Sequence, residues 1–277
     1  MKHTLEAPEV PAYLAPSYHA GDWTAVIPAA GRGSRLGFNR PKILYPLAGR
    51  SILSHLSALL RPRCAQAVVV LSPDGAVPVE PELRAEWGER ASVAIQAAPV
   101  GMADAVDCGL RLVSTAFTLV VWGDQVALRP ETVDTGMRLL EGPLAPNAVC
   151  PTGWRQRPYI HFERNAAGQL VNILQAREED ILPDAGESDT GLFLFRTAPM
   201  RQALQRLRQS GQGVGAKTGE QSFLFTLPLL DAEGAGVCCP RIAGAGESLG
   251  LNAPEDVAVL EAELGGRATA PAGNRTW

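Results

Sequence analysis

Residues 25–42 read AVIPAAGRGSRLGFNRPK, and the fold and the chemistry of the chain both turn on this stretch. The apolar run Ala25-Val26-Ile27 predicts a first strand over 23–30. It ends in a turn of small residues that carries Ala30, Gly31, Gly33 and Ser34. Glycine has no Cβ, so backbone N–H groups in such a turn can come close to anionic oxygens. Arg35 and Lys42 follow and supply charge that a backbone turn lacks. A strand, a glycine turn and two cations point to a phosphate chain. The string matches neither of two common glycine loops. A dinucleotide fingerprint needs G-x-G-x-x-G, and Leu36 stands at the third glycine. A P-loop needs G-x-x-x-x-G-K-[ST], which is not present. A βα turn with surface cations is the alternative these residues leave open.

Outward from this stretch, apolar runs alternate with helical patterns. Ile52–Leu60 predicts a helix, and Ala67–Leu71 a strand covered on both faces. Ala91–Gln96 predicts a strand, Met102–Leu112 a helix and Phe117–Trp122 another covered strand. Such alternation predicts an α/β fold: one Rossmann-like domain whose mixed, mostly parallel twisted sheet is flanked by helices. The middle of the chain changes style. Ile160–Arg164 and Leu170–Leu174 flank Asn165-Ala166-Ala167-Gly168 and predict a hairpin, hence a small antiparallel subregion. Gly191–Phe195 predicts a strand, Met200–Arg208 a helix and Gly211–Gly219 a flexible loop. Gln221–Leu230 predicts a helix, Val237–Arg241 a strand and Asp256–Leu264 a last helix. Residues 1–22 are expected to form an irregular extension, 23–264 the domain and 265–277 a mobile tail.

Composition sets bounds. The chain has 277 residues, 46% apolar and 19% charged, so neither disorder nor a membrane class is favoured. A net charge of −4 and a pI near 5.7 argue against a nucleic-acid binder. The five cysteines, two of them adjacent, show no C-x-x-C spacing, which predicts reduced thiols in a cytoplasmic protein rather than a disulfide framework or a zinc site. No apolar stretch reaches membrane-spanning length, and the proline-broken N-terminus lacks the apolar core of a secretory signal. No internal repeat is present, and nothing in the pattern sets an oligomeric state.

The run Leu119–Val121 leads into Trp122-Gly123-Asp124. An Asp at the C-terminal end of a parallel strand lies at the ligand edge of an open α/β sheet. Its oxygens suit Mg2+, which bridges carboxylate to phosphate; an Asx turn closing the strand is the alternative. No Ser-His-Asp, Cys-His or paired-carboxylate arrangement competes for a catalytic role.

The longer string AAGRGSRLGFNRPKILYPLAGRSIL resembles the opening signature of the sugar-1-phosphate nucleotidylyltransferases, in the nucleotidyltransferase superfamily with its GT-A-like fold. That pattern runs A-A-G-x-G-[ST]-R, a spacer, P-K, then a hydrophobic-x-P-L-x-G segment, matched here down to Pro46-Leu47-Ala48-Gly49. The resemblance implies a loop around the triphosphate of a nucleoside triphosphate, with Arg35 and Lys42 facing the reacting phosphates. It implies Asp124 as a metal ligand. It implies a second in Ser248-Leu249-Gly250-Leu251-Asn252, where Asn252 matches; an N-cap role for Asn252 is compatible. Gln96 and the turn to Gly101 and Met102 match the base-reading segment of the uridylyltransferases, which favours a pyrimidine, although Met102 stands where they have Thr.

The acceptor side departs from the pattern of the N-acetylglucosamine-1-phosphate uridylyltransferases. His161 replaces an Arg, Gln175 a Glu and Asp189 an Asn, which argues against that sugar because mismatched polar groups are left unpaired. Arg177 and Lys217 are further candidates for the acceptor phosphate, with solvated surface cations as the alternative. The implied activity joins a sugar-1-phosphate or a similar phosphate to a nucleoside triphosphate, with Mg2+ as cofactor and pyrophosphate released. A cytidylyltransferase with a non-sugar acceptor and a non-catalytic nucleotide-binding domain are the competing readings. The β-helix acyltransferase repeat of bifunctional members has no counterpart, since no hexapeptide periodicity occurs.

Overall fold

The computed structural model describes residues 18–269 except 143, 167, 169, 232–235 and 245. The strands are β1 (Trp23–Pro28), β2 (Pro46–Leu47), β3 (Arg50–Ser51), β4 (Gln66–Leu71), β5 (Ala91–Ile95), β6 (Phe117–Val121), β7 (Ala148–Val149), β8 (Thr152–Gln156), β9 (Ile160–Arg164), β10 (Leu170–Gln175), β11 (Ala185–Asp189), β12 (Leu192–Arg196) and β13 (Val237–Cys238). The helices are α1 (Ile52–Leu60), α2 (Pro73–Trp87), α3 (Met102–Leu110), α4 (Pro130–Glu141), α5 (Thr197–Ser210), α6 (Thr226–Asp231) and α7 (Pro254–Thr269). The central sheet has seven strands in the order β13-β7-β12-β6-β1-β4-β5. β5, β4, β1 and β6 run parallel, β12 runs antiparallel to both its neighbours, and β13 is parallel to β7.

The period of two along each strand divides the interior. Ala25 and Ile27, Val69 and Leu71, Leu119 and Val121 point into one core, which α1, α2, α4 and α7 cover. Val26, Val68, Val70 and Val120 point into a second core under α3, α5 and α6. Continuous apolar runs are what a strand buried on both faces requires. Two small antiparallel pairs, β9 with β10 and β8 with β11, make a lobe beside the sheet.

The structure carries several elements that the sequence pattern hides. α2 contains Pro78 and Pro81, which remove backbone donors and read as helix breakers; Ser72 caps it by accepting from Gly75 N–H at 3.1 Å. α4 has no local cap. Its Arg129 N–H and Thr132 hydroxyl donate to the carboxylate of Glu247, at 2.8 and 2.9 Å. β8 and β11 carry buried polar residues where an alternating pattern calls for apolar ones. The helix expected over 221–230 divides into a 3-10 turn at Phe223–Phe225 and α6. The strand expected to reach Arg241 keeps formal pairing only over β13. Within the loop expected over Gly211–Gly219, Val214 bridges to Gln221.

At the ends, the expected extension lies outside the described residues up to 17, and Ala20–Asp22 form a 3-10 turn into β1. α7 runs on through Gly265-Gly266 to Thr269 because no proline intervenes before Pro271, so 265–269 are helix; the rest of the expected tail lies outside the described residues.

The approach of α3 to β1 depends on Gly109. A Cβ there would stand 2.5 Å from Val26 Cγ1 and 3.1 Å from Val70 Cγ2. In an exposed helix Gly to Ala stabilises by up to about 1 kcal/mol. Here Gly109→Ala is expected to destabilise by about 1–3 kcal/mol through overpacking, read as a lower urea midpoint; a raised midpoint would contradict this packing.

Candidate active site

The glycine turn is closed by its own backbone. Gly33 N–H donates to Arg40 O at 3.3 Å, and Lys42 N–H to Gly31 O at 3.2 Å. A Cβ on Gly33 would lie 2.9 Å from Phe38 O and 3.0 Å from Arg40 O, so this glycine is required by the turn itself. Gly31 differs: a Cβ there would meet nothing within 4 Å. Arg35 is exposed on the 3-10 turn Ser34–Leu36, beside the exposed Ser34, and Ala30 is half-buried at the end of β1. The turn lays the Lys42 side chain across the end of the strand.

Gly123 brings Asp124 to the same place. Its N–H donates to Pro28 O at 3.1 Å, and a Cβ on it would come 2.8 Å from that oxygen. Adjacent parallel strands β1 and β6 thus deliver the glycine turn and Asp124 to one edge, as open α/β sheets do at their ligand face. A strap ahead of α7 closes the cluster. Leu251 N–H donates to Asp124 O at 3.1 Å. Asp256 accepts from the backbone N–H groups of Asn252 and Ala253, at 2.7 and 2.8 Å. That bond caps the helix from within and leaves the Asn252 side-chain oxygen for other partners.

Lys42, Asp124 and Asn252 meet. Lys42 Nζ donates to Asp124 Oδ2 at 2.6 Å, to Leu251 O at 3.1 Å and to Asn252 Oδ1 at 3.4 Å. The Lys42 and Asp124 side chains are 21% and 17% exposed, so the pair is shielded yet open to a ligand. Three oxygens of the carboxylate, amide and carbonyl kinds converge on one cationic group. Hard oxygen donors of this kind are what Mg2+ prefers, so the donor set fits that ion.

The neighbouring wall holds Asp189 at the end of β11. It is buried, and its Oδ2 accepts from Gly191 N–H at 2.9 Å. Burial pushes its carboxyl up to about 6, against the Gly191 bond and the Arg155 guanidinium; the charge of Asp124 adds to the rise. Arg155 leans on the strap, donating to Ser248 O at 2.9 Å. Gln125 packs under Gly250, and among the described residues its buried Oε1 lacks a hydrogen-bond partner. No motif marks Arg155 or Gln125, and the Leu251 carbonyl carries no signal in residue type.

Most of the other candidate residues make contacts within the protein. Gln96 is buried, and its amide nitrogen donates to Gly101 O at 3.0 Å and Asp104 Oδ2 at 3.1 Å. Gly101, at φ 121°, sits against Gln221, where a Cβ would lie 2.8 Å from a carbonyl; Met102 begins α3. These residues shape the turn. His161 Nδ1 bonds Glu187 O at 3.1 Å between β9 and β11. Gln175 is buried and its Oε1 accepts from Ser222 at 3.2 Å. Arg177 pairs with Glu220 at 2.7 Å and Glu178 at 3.1 Å, and Lys217 pairs with Glu179. No bond among the described residues joins these four to Lys42, Asp124 or Asn252.

Residues 25–216 match the family model of the MobA-like NTP transferase domain. The chain belongs to that nucleotidyltransferase family. Membership makes it an enzyme of the nucleotidyltransferase class. The bifunctional protein GlmU of Mycolicibacterium paratuberculosis is 29% identical over 265 residues, covering 90% of this chain and 52% of that protein. GlmU of Cupriavidus metallidurans is 32% identical over 246 residues, covering 85% and 50%. The chain thus spans about half the length of these curated relatives. The crystal structure of 4-diphosphocytidyl-2C-methyl-D-erythritolsynthase from Anaerococcus prevotii superposes with a TM-score of 0.62 at 13% identity, over 89% of this chain and 100% of that one, a likeness of fold. No helix among the described residues is long and apolar enough to cross a membrane.

Asp189 has a consequence for stability. The folded chain keeps its proton up to about pH 6, whereas an unperturbed Asp releases it near 3.8. The folded state therefore binds more protons in that window, and stability falls as pH rises through it. Asp189→Asn removes the effect. Its stability relative to wild type is expected to improve by about 1–3 kcal/mol between roughly pH 4 and pH 6.5, by urea unfolding. A difference that stays flat with pH would contradict the buried carboxyl.

Proposed function

We propose that the protein is a Mg2+-dependent nucleotidylyltransferase that joins a sugar-1-phosphate, or a sugar-like phosphate, to a nucleoside triphosphate and releases pyrophosphate. The observation that carries this reading is the convergence of Lys42, Asp124, Asn252 and the Leu251 carbonyl beside the glycine turn. A merely nucleotide-binding domain has no need of a cation and three oxygens at one point.

A phosphate oxygen of the acceptor attacks the α-phosphorus; the bond from that phosphorus to the bridging oxygen breaks, and pyrophosphate leaves. A phosphate monoester is already a nucleophile, so neither a general base nor a covalent intermediate is needed. Catalysis then rests on positioning and charge neutralisation. In this reading Ala30, Gly31, Gly33 and Ser34 carry the backbone that wraps the triphosphate. Lys42 and Arg35 neutralise charge on the transferring and departing phosphates. Asp124 and Asn252 would hold Mg2+, which would supply positive charge to offset that of the phosphates. Gln96, Gly101 and Met102 set the shape of the base pocket. On the acceptor side Asp189 comes first, because it borders Asp124; His161, Gln175, Arg177 and Lys217 would act there only by exchanging their present partners. A cytidylyltransferase with a non-sugar phosphate is the second reading, favoured by Met102 at the position where the uridylyl pattern has a hydroxyl.

Lys42→Ala and Asp124→Ala are each expected to lower turnover by at least about 10²–10³-fold, as the loss of one preorganised charge typically does. Circular dichroism checks that the variants are folded. A crossed panel of nucleoside triphosphates with sugar, cyclitol and non-sugar phosphates, read by pyrophosphate release, supplies the assay. Near-normal turnover in either variant rules out these roles. Nucleotide binding with no pyrophosphate release across the panel rules out catalysis.

A further inference from the structure

Three of the five cysteines lie together at the β7–β13 edge, away from Lys42. The ladder pairs Ala148 with Val237 and Val149 with Cys238. It continues beyond the formal strands, since Cys150 N–H donates to Cys238 O at 2.8 Å and Thr152 N–H to Pro240 O at 2.9 Å. By this register Cys150 stands opposite Cys239. The cores agree. Cys150 is buried in the core under α3, α5 and α6, and Cys239 packs against that same core, whereas Cys238 packs against the other one. Facing residues on neighbouring strands are about 4.8 Å apart, inside the span of roughly 4.4–6.8 Å that a disulfide bridges.

Their surroundings differ. Cys150 is fully buried, and Cys239 is half-buried. The Arg164 guanidinium lies beside Cys239, donating to its carbonyl oxygen at 3.0 Å. Partial exposure lets an oxidant reach Cys239, while Cys150 is closed off behind it.

We propose that Cys239 and Cys150 are a peroxide-responsive pair that closes into a reversible disulfide, with Cys239 as the thiol attacked and Cys150 as the resolving thiol. In the first step Cys239 sulfur bonds to one peroxide oxygen, the O–O bond breaks, and the other oxygen leaves as water or an alcohol after taking up the thiol proton. Cys239 is then a sulfenic acid. In the second step Cys150 sulfur attacks Cys239 sulfur, the S–O bond breaks, and the hydroxide leaves as water with the Cys150 proton. The two sulfurs give up two electrons and the peroxide accepts them. Burial above all holds the proton on Cys150. Cys238 faces the opposite side of the sheet and is left out. The cross-link would tie the edge strand to β7 beside Arg164, which also holds Glu187 of β11.

The test treats the full chain with hydrogen peroxide, quenches with iodoacetamide and maps non-reduced peptides by mass. Expected is the loss of two free thiols, a peptide pair joined with the loss of two hydrogens between the Cys150 and Cys238-Cys239 segments, and reversal by dithiothreitol. Cys238→Ser should keep the cross-link and Cys239→Ser should abolish it. In Cys150→Ser the sulfenic acid should persist and be trapped by dimedone at Cys239. Because Cys150 is buried, Cys239→Ser is the decisive variant if Cys150→Ser does not fold. No cross-link, a cross-link that survives Cys239→Ser, or one that needs Cys238 would overturn the proposal.

Discussion

The contact on which the site depends is the ammonium of Lys42 set among oxygens from two remote segments. One partner lies 82 residues on and another more than 200. A lysine and an aspartate this well shielded lose hydration, and the pair is favourable only where further donors and acceptors complete the shell. The Leu251 carbonyl and the Asn252 amide complete it. Much of the surrounding architecture can be understood as holding that geometry. Gly123 lets the end of β6 lie against β1, and Gly33 lets the turn fold flat enough for Lys42 to reach over. Glu247 pins the strap by accepting from α4 and from Gly244 N–H at 2.8 Å.

The small lobe is organised by a different charge. Glu187 is 2% exposed and accepts from Arg164, Arg241 and the Thr152 hydroxyl. Burial pushes its carboxyl up, yet these donors hold it below the usual carboxylate range. A buried ion pair of this kind adds little net stability over an apolar substitute, but it tolerates few alternative arrangements. It locks β8 to β11 and brings β9 alongside, and so sets the direction of Asp189 two residues further on.

Much of this was legible in the sequence, and the boundary has physical causes. The covered strands announce themselves as apolar runs, because both faces are buried. Lys42, Asp124 and Asn252, which the structure brings together, each stand in a short local motif at an element end where the chain has to turn. What stayed hidden depends on partners distant in sequence. α4 borrows its cap from Glu247, and β8 and β11 satisfy buried polar groups across strands. α2 holds prolines that a local rule rejects. Gln96, His161 and Gln175 show the converse limit. A residue type can mark a position without disclosing whether its polar atoms face a ligand or a neighbouring loop, and in each of these three one polar atom bonds a neighbour.

The strap has one more implication, which concerns the order of events during synthesis. The glycine turn and Lys42 leave the ribosome early, and Asp124 follows midway. The oxygens of Leu251 and Asn252 come later than both. A nascent chain can therefore form the parallel strands and the turn well before the final two oxygens exist. The cluster is completed only when the strap ahead of α7 has been made and has docked, so a segment made well after Lys42 and Asp124 completes their centre.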